Sequence, residues 1–149
     1  MKRVKGFTLI ELMIVIAIIA IIAAIAIPNL LEARKSGNES SAIGSLRAVN
    51  SAQNLFQQKD KDGDGTQNYA LTLAVLNSYD LIDDVVASGT KSGYYFTMTG
   101  APNRYSYTST GNPAEFDVTG DRYFQVQEDG VIKASSVYDG GGAGYTAIE

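Results

Sequence analysis

The sequence predicts an α+β fold in which one long N-terminal helix, half transmembrane and half packed on a sheet, accompanies a small, mostly antiparallel β-sheet. The helix is predicted because the 21 residues from Phe7 to Ile27 include only two polar ones, Thr8 and Glu11. The sheet is predicted because, after about residue 90, short runs rich in Tyr, Phe, Thr and Val alternate with turn-forming residues.

The composition excludes several classes of function. The chain has no Cys and no His, which removes disulfides, thiolate nucleophiles and the commonest general base and metal ligand. Its 12 basic and 16 acidic residues give a net charge of −4, and no basic patch interrupts the body of the chain, so no nucleic-acid partner is evident. Neither a G-x-S-x-G nor a P-loop motif is present, and we predict that the chain is not an enzyme.

The apolar run is long enough to cross a membrane. As a helix rising ~1.5 Å per residue it would span ~32 Å, against a hydrocarbon core of ~30 Å. Lys2, Arg3 and Lys5 precede it, so the positive-inside rule predicts a single pass through a membrane with the N-terminus in the cytoplasm. An ordinary secretory signal is the alternative, because Ala24–Ala26 resembles a signal-peptidase site. The uninterrupted apolar stretch Leu12–Ile27 is, however, at or beyond the usual length of such signals.

Glu11 is an acidic residue inside this run and needs a partner. A carboxylate at the centre of a membrane helix costs roughly 2.5–3.5 kcal/mol, and somewhat less near the boundary. If the chain were cut after Gly6, the new amine of Phe7 would lie four residues, about one helical turn, before Glu11. The amine of one copy could then pair with Glu11 of a neighbouring copy, neutralise both charges and set the axial register between subunits.

The sequence from Lys5 to Leu12, followed by the Ile/Ala-rich run and Pro28, resembles the N-terminus of type IV prepilins. This resemblance implies a pilin-like fold and an assembly role for Phe7, Glu11 and the Pro28 region. It also implies that a prepilin peptidase of the inner membrane cuts between Gly6 and Phe7 and methylates the amine of Phe7.

The resemblance further divides the chain into three segments. These are a cleaved leader (1–6), a transmembrane and assembly helix (7–28), and a periplasmic or extracellular globular domain (29–149) that includes the second half of the long helix. The implied function is a structural subunit, major or minor, of a type IV pilus, a homo-oligomeric helical filament on the cell surface. The implied partners are the prepilin peptidase, the inner-membrane pilus assembly machinery and, before assembly, membrane lipid.

Two other functions remain open at this point. A pseudopilin of a type II secretion system would share the leader and the apolar helix. A single-span, membrane-anchored binding protein, which belongs to a different class, would keep the helix but would need neither Glu11 nor a cut after Gly6.

The long helix is predicted to continue to about Gln58. Pro28 removes one backbone hydrogen bond and should kink or weaken the helix rather than end it, since good helix formers resume at once in residues 30–34. Apolar residues then recur at every third position, which predicts a face packed on the sheet. This face comprises Ile43, Leu46, Val49, Ala52, Leu55 and Phe56.

The segment 59–68 contains the one candidate metal site. Its candidate ligands for Ca²⁺ are Asp60, Asp62, Asp64 and Thr66. Three aspartates at alternate positions followed by Gly65 match the first half of an EF-hand loop, in which Thr66 would contribute its backbone carbonyl. Leu71 stands where the closing glutamate of that loop would fall. The alternative is a solvated turn, because Asp and Gly are common in turns. No cofactor is required for the predicted structural role.

Two hairpins are predicted in the second half of the chain. Gly93–Thr99 and Arg104–Thr110 should pair around a four-residue loop, and Arg122–Gln127 should pair with Val131–Ala134 around a turn that contains Gly130. Phe116–Val118 is predicted as an edge strand. The core candidates in the sheet are Phe96, Tyr105 or Tyr107, Phe124, Val126 and Ile132.

Two shorter segments connect the helix to these hairpins. Tyr69–Tyr79 is predicted as a short helix or ordered loop with Leu73, Leu76 and Leu81 facing inward. Ser88–Ser92 is predicted as a linker.

Overall fold

A computed structural model describes residues 6–101, 104–137 and 144–148 of the chain. It divides the chain into two compact units, Met1–Arg34 and Lys35–Glu149. The predicted α+β class, with a long helix and an antiparallel sheet, is confirmed. In chain order the helices and strands are α1 (Leu9–Gln58), α2 (Leu73–Ser78), α3 (Asp84–Ala87), β1 (Thr90–Lys91), β2 (Tyr94–Gly100), β3 (Tyr107–Pro113), β4 (Tyr123–Gln127), β5 (Lys133–Ser135) and β6 (Thr146–Ala147).

The first unit consists of the N-terminal part of α1. The helix continues through Pro28 and ends at Gln58, so both the predicted continuation and the predicted end are confirmed. Its large apolar side chains are exposed within this unit, including Ile16 at 56% and Ile25 at 66%. Among the described residues, α1 is the one helix that is long and apolar enough to cross a membrane.

In the second unit, the rest of α1 buries an apolar face. Its buried residues, Ala42, Leu46, Val49, Ala52 and Phe56, follow one another at intervals of three or four, as one side of a helix requires. The prediction for Leu55 was wrong, because this residue is 36% exposed. Three residues turn a helix by about 300°, which is about 60° short of a full turn. Positions at strict three-residue intervals therefore drift around the helix and away from its buried face.

The six strands form one sheet in sequence order, and all neighbouring strands are antiparallel. In the first hairpin, the register runs from Tyr94 opposite Pro113 to Gly100 opposite Tyr107. The predicted start of β3 at Arg104 was therefore wrong. Arg104 has a φ of 60°, and its carbonyl accepts a hydrogen bond from the Tyr69 N–H at 2.8 Å, which takes this residue out of the ladder. Two residues of the predicted loop, 102 and 103, lie outside the described residues.

Two further segments differ from the prediction. The expected edge strand Phe116–Val118 is a turn, because the Glu115 carbonyl accepts hydrogen bonds from the N–H groups of Val118 and Thr119 at 3.2 and 2.9 Å. Only an isolated bridge joins Phe116 to Gly120 there. The expected linker Ser88–Ser92 contains β1, which pairs with β2.

The predicted core is confirmed. Phe96, Tyr107, Phe124, Val126 and Ile132 are buried, and the choice between two tyrosines is decided because Tyr105 is 65% exposed. The predicted short helix is also confirmed as α2, in which Leu73 and Leu76 are buried, while Leu81 packs against the core from the following turn.

A group of charged residues joins α1 to the turn at 115–122 within the second unit. Lys35 and Glu39 are buried on α1. Lys35 pairs with Asp117 at 2.7 Å and with Asp121 at 3.2 Å. Glu39 accepts hydrogen bonds from Nε and Nη2 of Arg122 at 2.9 and 2.7 Å, so each buried charge has an opposite partner.

Candidate functional site

The predicted cleavage junction lies just before α1. Gly6 and Phe7 are both exposed, and the Phe7 side chain is 88% exposed. Among the described residues other than its chain neighbours, none has an atom within 4 Å of where a Cβ on Gly6 would stand. The remaining leader residues, 1–5, lie outside the described residues. Among the described residues, both sides of the Gly6–Phe7 bond are therefore exposed.

Glu11 is held by Thr8 at the start of α1. The backbone N–H and the side-chain hydroxyl of Thr8 donate to Oε2 of Glu11 at 2.8 and 2.7 Å. In return, the Glu11 N–H donates to the Thr8 hydroxyl at 3.3 Å. This reciprocal arrangement is a capping box, which satisfies backbone groups that the first turn of a helix leaves unpaired.

Thr8 is a functional candidate that the sequence interpretation missed. A signal was present, because a Thr followed three residues later by Glu, just before an apolar run, is the sequence pattern of a capping box. Among the described residues, the hydrogen bonds to the Glu11 carboxylate all involve Oε2. The second oxygen, Oε1, receives no hydrogen bond from the described residues.

Pro28 lies inside α1, where it cannot donate a hydrogen bond to the carbonyl of Ala24. The next residue, Asn29, donates its side-chain amide to the carbonyl of Ile25 at 3.1 Å. This hydrogen bond supplies the Ile25 carbonyl, close to the proline, with a side-chain donor.

The three predicted aspartate ligands come together in the segment that follows α1. We call residues 60–68 the acidic loop. One carboxylate oxygen from each of Asp60, Asp62 and Asp64 lies within 4.8 Å of the others. Gly65 has a φ of 80°, a conformation that glycine adopts readily, and its N–H donates to Oδ2 of Asp60 at 3.0 Å.

Thr66 and Asn68 complete the acidic loop. The N–H and the hydroxyl of Thr66 donate to Oδ1 of Asp64, the former at 2.8 Å, and the Asn68 amide donates to Oδ2 of Asp64 at 2.9 Å. These hydrogen bonds lower the pKa of Asp64 below its usual value, and the bond from the Thr66 hydroxyl has the largest effect. Asn68 was missed, although the oxygen-bearing residues at alternate positions extend to it without a break.

Arg104 is the cation that the structure places against the acidic loop. Its Nη2 donates to Asp62 at 2.5 Å and its Nη1 to Asp64 at 3.1 Å. Its backbone is fixed by the hydrogen bond to Tyr69 described above. No local sequence signal could have found this contact, because about 40 residues separate Arg104 from the aspartates and the pairing depends on the turn between β2 and β3.

Comparison with known proteins supports the N-terminal motif. Residues 1–27 match the family model described as the prokaryotic N-terminal methylation motif. The chain is 37% identical over 94 residues to the type IV wide pilus major component PilA4 of Thermus thermophilus; the match covers 63% of this chain and 72% of PilA4.

Two further relatives match shorter stretches. The type IV major pilin protein PilA of Myxococcus xanthus is 51% identical over 63 residues, which cover 42% of this chain and 29% of that protein. The type IV narrow pilus major component PilA5 of Thermus thermophilus is 48% identical over 50 residues, covering 34% of this chain and 43% of PilA5. No solved structure matches the chain significantly.

Proposed function

We propose that this chain, which belongs to the type IV pilin family, is a structural subunit of a type IV pilus. The observation that carries the proposal is the 37% identity to a pilus major component, because the match extends well beyond the N-terminal motif into the second unit. Its relatives are structural components of filaments and not enzymes.

Maturation is the first step of the proposed function. A prepilin peptidase would cut between Gly6 and Phe7 and methylate the amine of Phe7. Support comes from the methylation motif in residues 1–27 and from the exposure of both residues at the junction. The mature subunit would begin at Phe7 and contain 143 of the 149 residues.

Before assembly, the first half of α1 would cross the inner membrane once, with the N-terminus in the cytoplasm. The exposed apolar side chains between Phe7 and Leu31 support this step, because a water-exposed apolar surface of that size is unfavourable. The three basic residues before Gly6 support the orientation.

During assembly, the pilus machinery would move this helix from lipid into a bundle of identical helices. Helix packing would hold the bundle, and the Phe7 amine of one subunit would pair with Glu11 of a neighbour. The free Oε1 of Glu11 supports this pairing, since the capping box occupies Oε2 alone among the described residues. Head-to-tail contacts of this kind generate a helical filament when the rotation between subunits does not close into a ring.

Electron microscopy of cells with and without the gene tests the proposed function. We expect surface filaments in wild-type cells, their loss when the gene is deleted, and their return when the gene is supplied in trans. Antibodies against the chain should label these filaments along their length. If the surface filaments persist unlabelled while protein secretion fails on deletion, the chain is a pseudopilin. If neither filaments nor secretion change, the proposed role as a pilus subunit is wrong.

A further inference from the structure

We propose that the acidic loop binds a calcium ion. A filament subunit needs no metal for the assembly described above, so this inference goes beyond the proposed function and is tested separately. It rests on buried oxygen atoms as well as on the clustered carboxylates.

Asn68 provides the first observation. Its side chain is buried, with 5% of the residue exposed, and its amide nitrogen is held against Asp64 and Thr66 at 2.9 and 2.8 Å. Its Oδ1 is also buried, and none of the described residues donates a hydrogen bond to it. Burying an acceptor without a donor is unfavourable, so this oxygen, on a side chain that lies beside Asp64, is a candidate ligand for a cation.

Two carboxylate oxygens are in the same situation. Oδ1 of Asp60 and Oδ1 of Asp62 are buried and receive no hydrogen bond from the residues that the structure describes. Since one oxygen from each aspartate lies within 4.8 Å of the others, the three carboxylates can contact a single ion, Asp64 through an oxygen that also accepts hydrogen bonds. Ca²⁺ binds oxygen at 2.3–2.6 Å, so oxygen ligands of one ion lie within about 5 Å of one another.

The charge of the cluster indicates a divalent ion. Three carboxylates carry three negative charges, and Arg104 offsets one of them through its contacts with Asp62 and Asp64. The two remaining charges match one divalent cation. The contacts of Arg104 fall on Oδ2 of both aspartates, and Oδ1 of Asp62 receives no hydrogen bond from the described residues.

The ligand chemistry favours calcium. All candidate ligands are hard oxygens, and Ca²⁺ accepts 6–8 of them in flexible geometry, whereas Mg²⁺ demands near-ideal octahedral geometry and gives up its water reluctantly. Leu71 replaces the bidentate glutamate that closes an EF-hand loop, so water must supply part of the shell. We therefore expect weak binding, with a Kd of ~10⁻⁴–10⁻³ M, the range of extracellular calcium modules.

Calcium titration of the detergent-solubilised full chain tests the proposal. Terbium chloride serves as the first probe, because the nine tyrosines can sensitise its luminescence and the chain has no tryptophan. We expect a saturable signal that calcium chloride displaces and magnesium chloride does not. We also expect the Tm to rise by roughly 3–6 °C in about 10 mM calcium chloride.

Three variants connect the binding to the acidic loop. Asp62→Asn keeps the shape of the side chain and should weaken calcium binding by about tenfold or more. Asp80→Asn, which removes the same charge after α2, should bind as the wild type does. Arg104→Gln should bind calcium several-fold more tightly, because it removes a positive charge that opposes the ion. Circular dichroism confirms that each variant is folded.

The proposal is overturned if the wild-type Tm and titration do not respond to about 10 mM calcium chloride. It is equally overturned if Asp62→Asn and Asp80→Asn bind calcium alike, since the ion would then lie elsewhere. Weaker binding by folded Arg104→Gln would contradict the assigned role of Arg104. Neither of the first two results would affect the assignment as a pilus subunit, which electron microscopy of cells tests separately.

Discussion

Thr8 and Glu11 bind each other reciprocally at the first turn of α1, with the Thr8 N–H and hydroxyl at 2.8 and 2.7 Å from the same carboxylate oxygen. The acid that lies within the apolar run therefore caps its own helix. This local role provides an alternative reason for Glu11, and the two roles make different demands on the side chain. Capping accepts Gln in place of Glu, whereas pairing with an amine requires the negative charge.

Glu11→Gln separates these roles. We expect it to leave membrane insertion and helix capping intact and to reduce surface filaments strongly, because the neutral amide cannot neutralise the Phe7 amine of a neighbour. The measurement is the amount of pilin in sheared surface filaments relative to the amount in the membrane.

Thr8→Val is the matched control, because it removes the capping hydroxyl but retains the charge of Glu11. Loss of an N-cap side chain costs about 1 kcal/mol, so we expect this variant to assemble much better than Glu11→Gln. If Glu11→Gln assembles normally while Thr8→Val fails, Glu11 acts as a cap and not as a partner of the amine.

Gly120→Ala should destabilise the second unit severely. A Cβ on Gly120 would overlap the hydroxyl oxygen of Tyr94. The Tyr94 ring is fully buried, and its hydroxyl donates to the carbonyl of Arg122 at 2.9 Å. The ring cannot move away without losing packing and this hydrogen bond, and we expect a loss of about 2–4 kcal/mol.

Gly44→Ala supplies the control for that substitution. Gly44 is exposed on α1, and among the described residues nothing lies within 4 Å of its potential Cβ. Alanine favours a helix over glycine, so the Tm of the solubilised chain should rise by an amount equivalent to about 0.5–1 kcal/mol. Equal Tm values for the two variants would show that Gly120 does not lie against the ring of Tyr94.

Glu39→Gln should weaken the attachment of the turn at 115–122 to α1. Glu39 is buried and accepts hydrogen bonds from Arg122 and from the Asp121 N–H at 2.9 Å. Since charged hydrogen bonds contribute roughly 1.5–3 kcal/mol, we expect a Tm lower by about 4–10 °C. Glu128→Gln, at an exposed position between β4 and β5, should change the Tm much less.

The ion pair between Lys35 and Asp117 should make the stability of the second unit depend on pH in the acidic range. The hydrogen bond from Lys35 lowers the pKa of Asp117 below that of a free aspartate. The resulting stability is complete above the unfolded pKa of about 3.9 and is lost as the pH falls through the lower folded value. Asp117→Asn should therefore have a lower Tm than the wild type at neutral pH, and the difference should shrink as the pH falls below about 4. A constant difference across this range would contradict the assignment.

The sequence was sufficient for features that depend on local pattern. The end of α1 at Gln58, the burial of Leu73 and Leu76 on α2, and the inward face of β4 follow from apolar periodicity and turn residues. The carboxylate spacing of the acidic loop is equally local, which is why Asp60, Asp62 and Asp64 could be named as a group.

The features that the sequence did not predict depend on long-range contacts. Arg104 has ordinary strand neighbours in sequence, but its backbone is taken by Tyr69 and its side chain by the acidic loop, so β3 begins three residues later. Likewise, Phe116–Val118 has strand-forming residues, yet a turn and the ion pairs of Lys35 hold this segment outside the sheet. Tertiary contacts override strand propensity in both places.

The central claim is that the chain is processed after Gly6 and assembled from Phe7 onward. Intact-mass and N-terminal peptide mass spectrometry of subunits from sheared surface filaments test it most directly. We expect a 143-residue chain that begins with methylated Phe7. Filament subunits that begin at Met1, or at Ile27 as after ordinary secretion, would contradict the account, because the amine that is to pair with Glu11 would not exist.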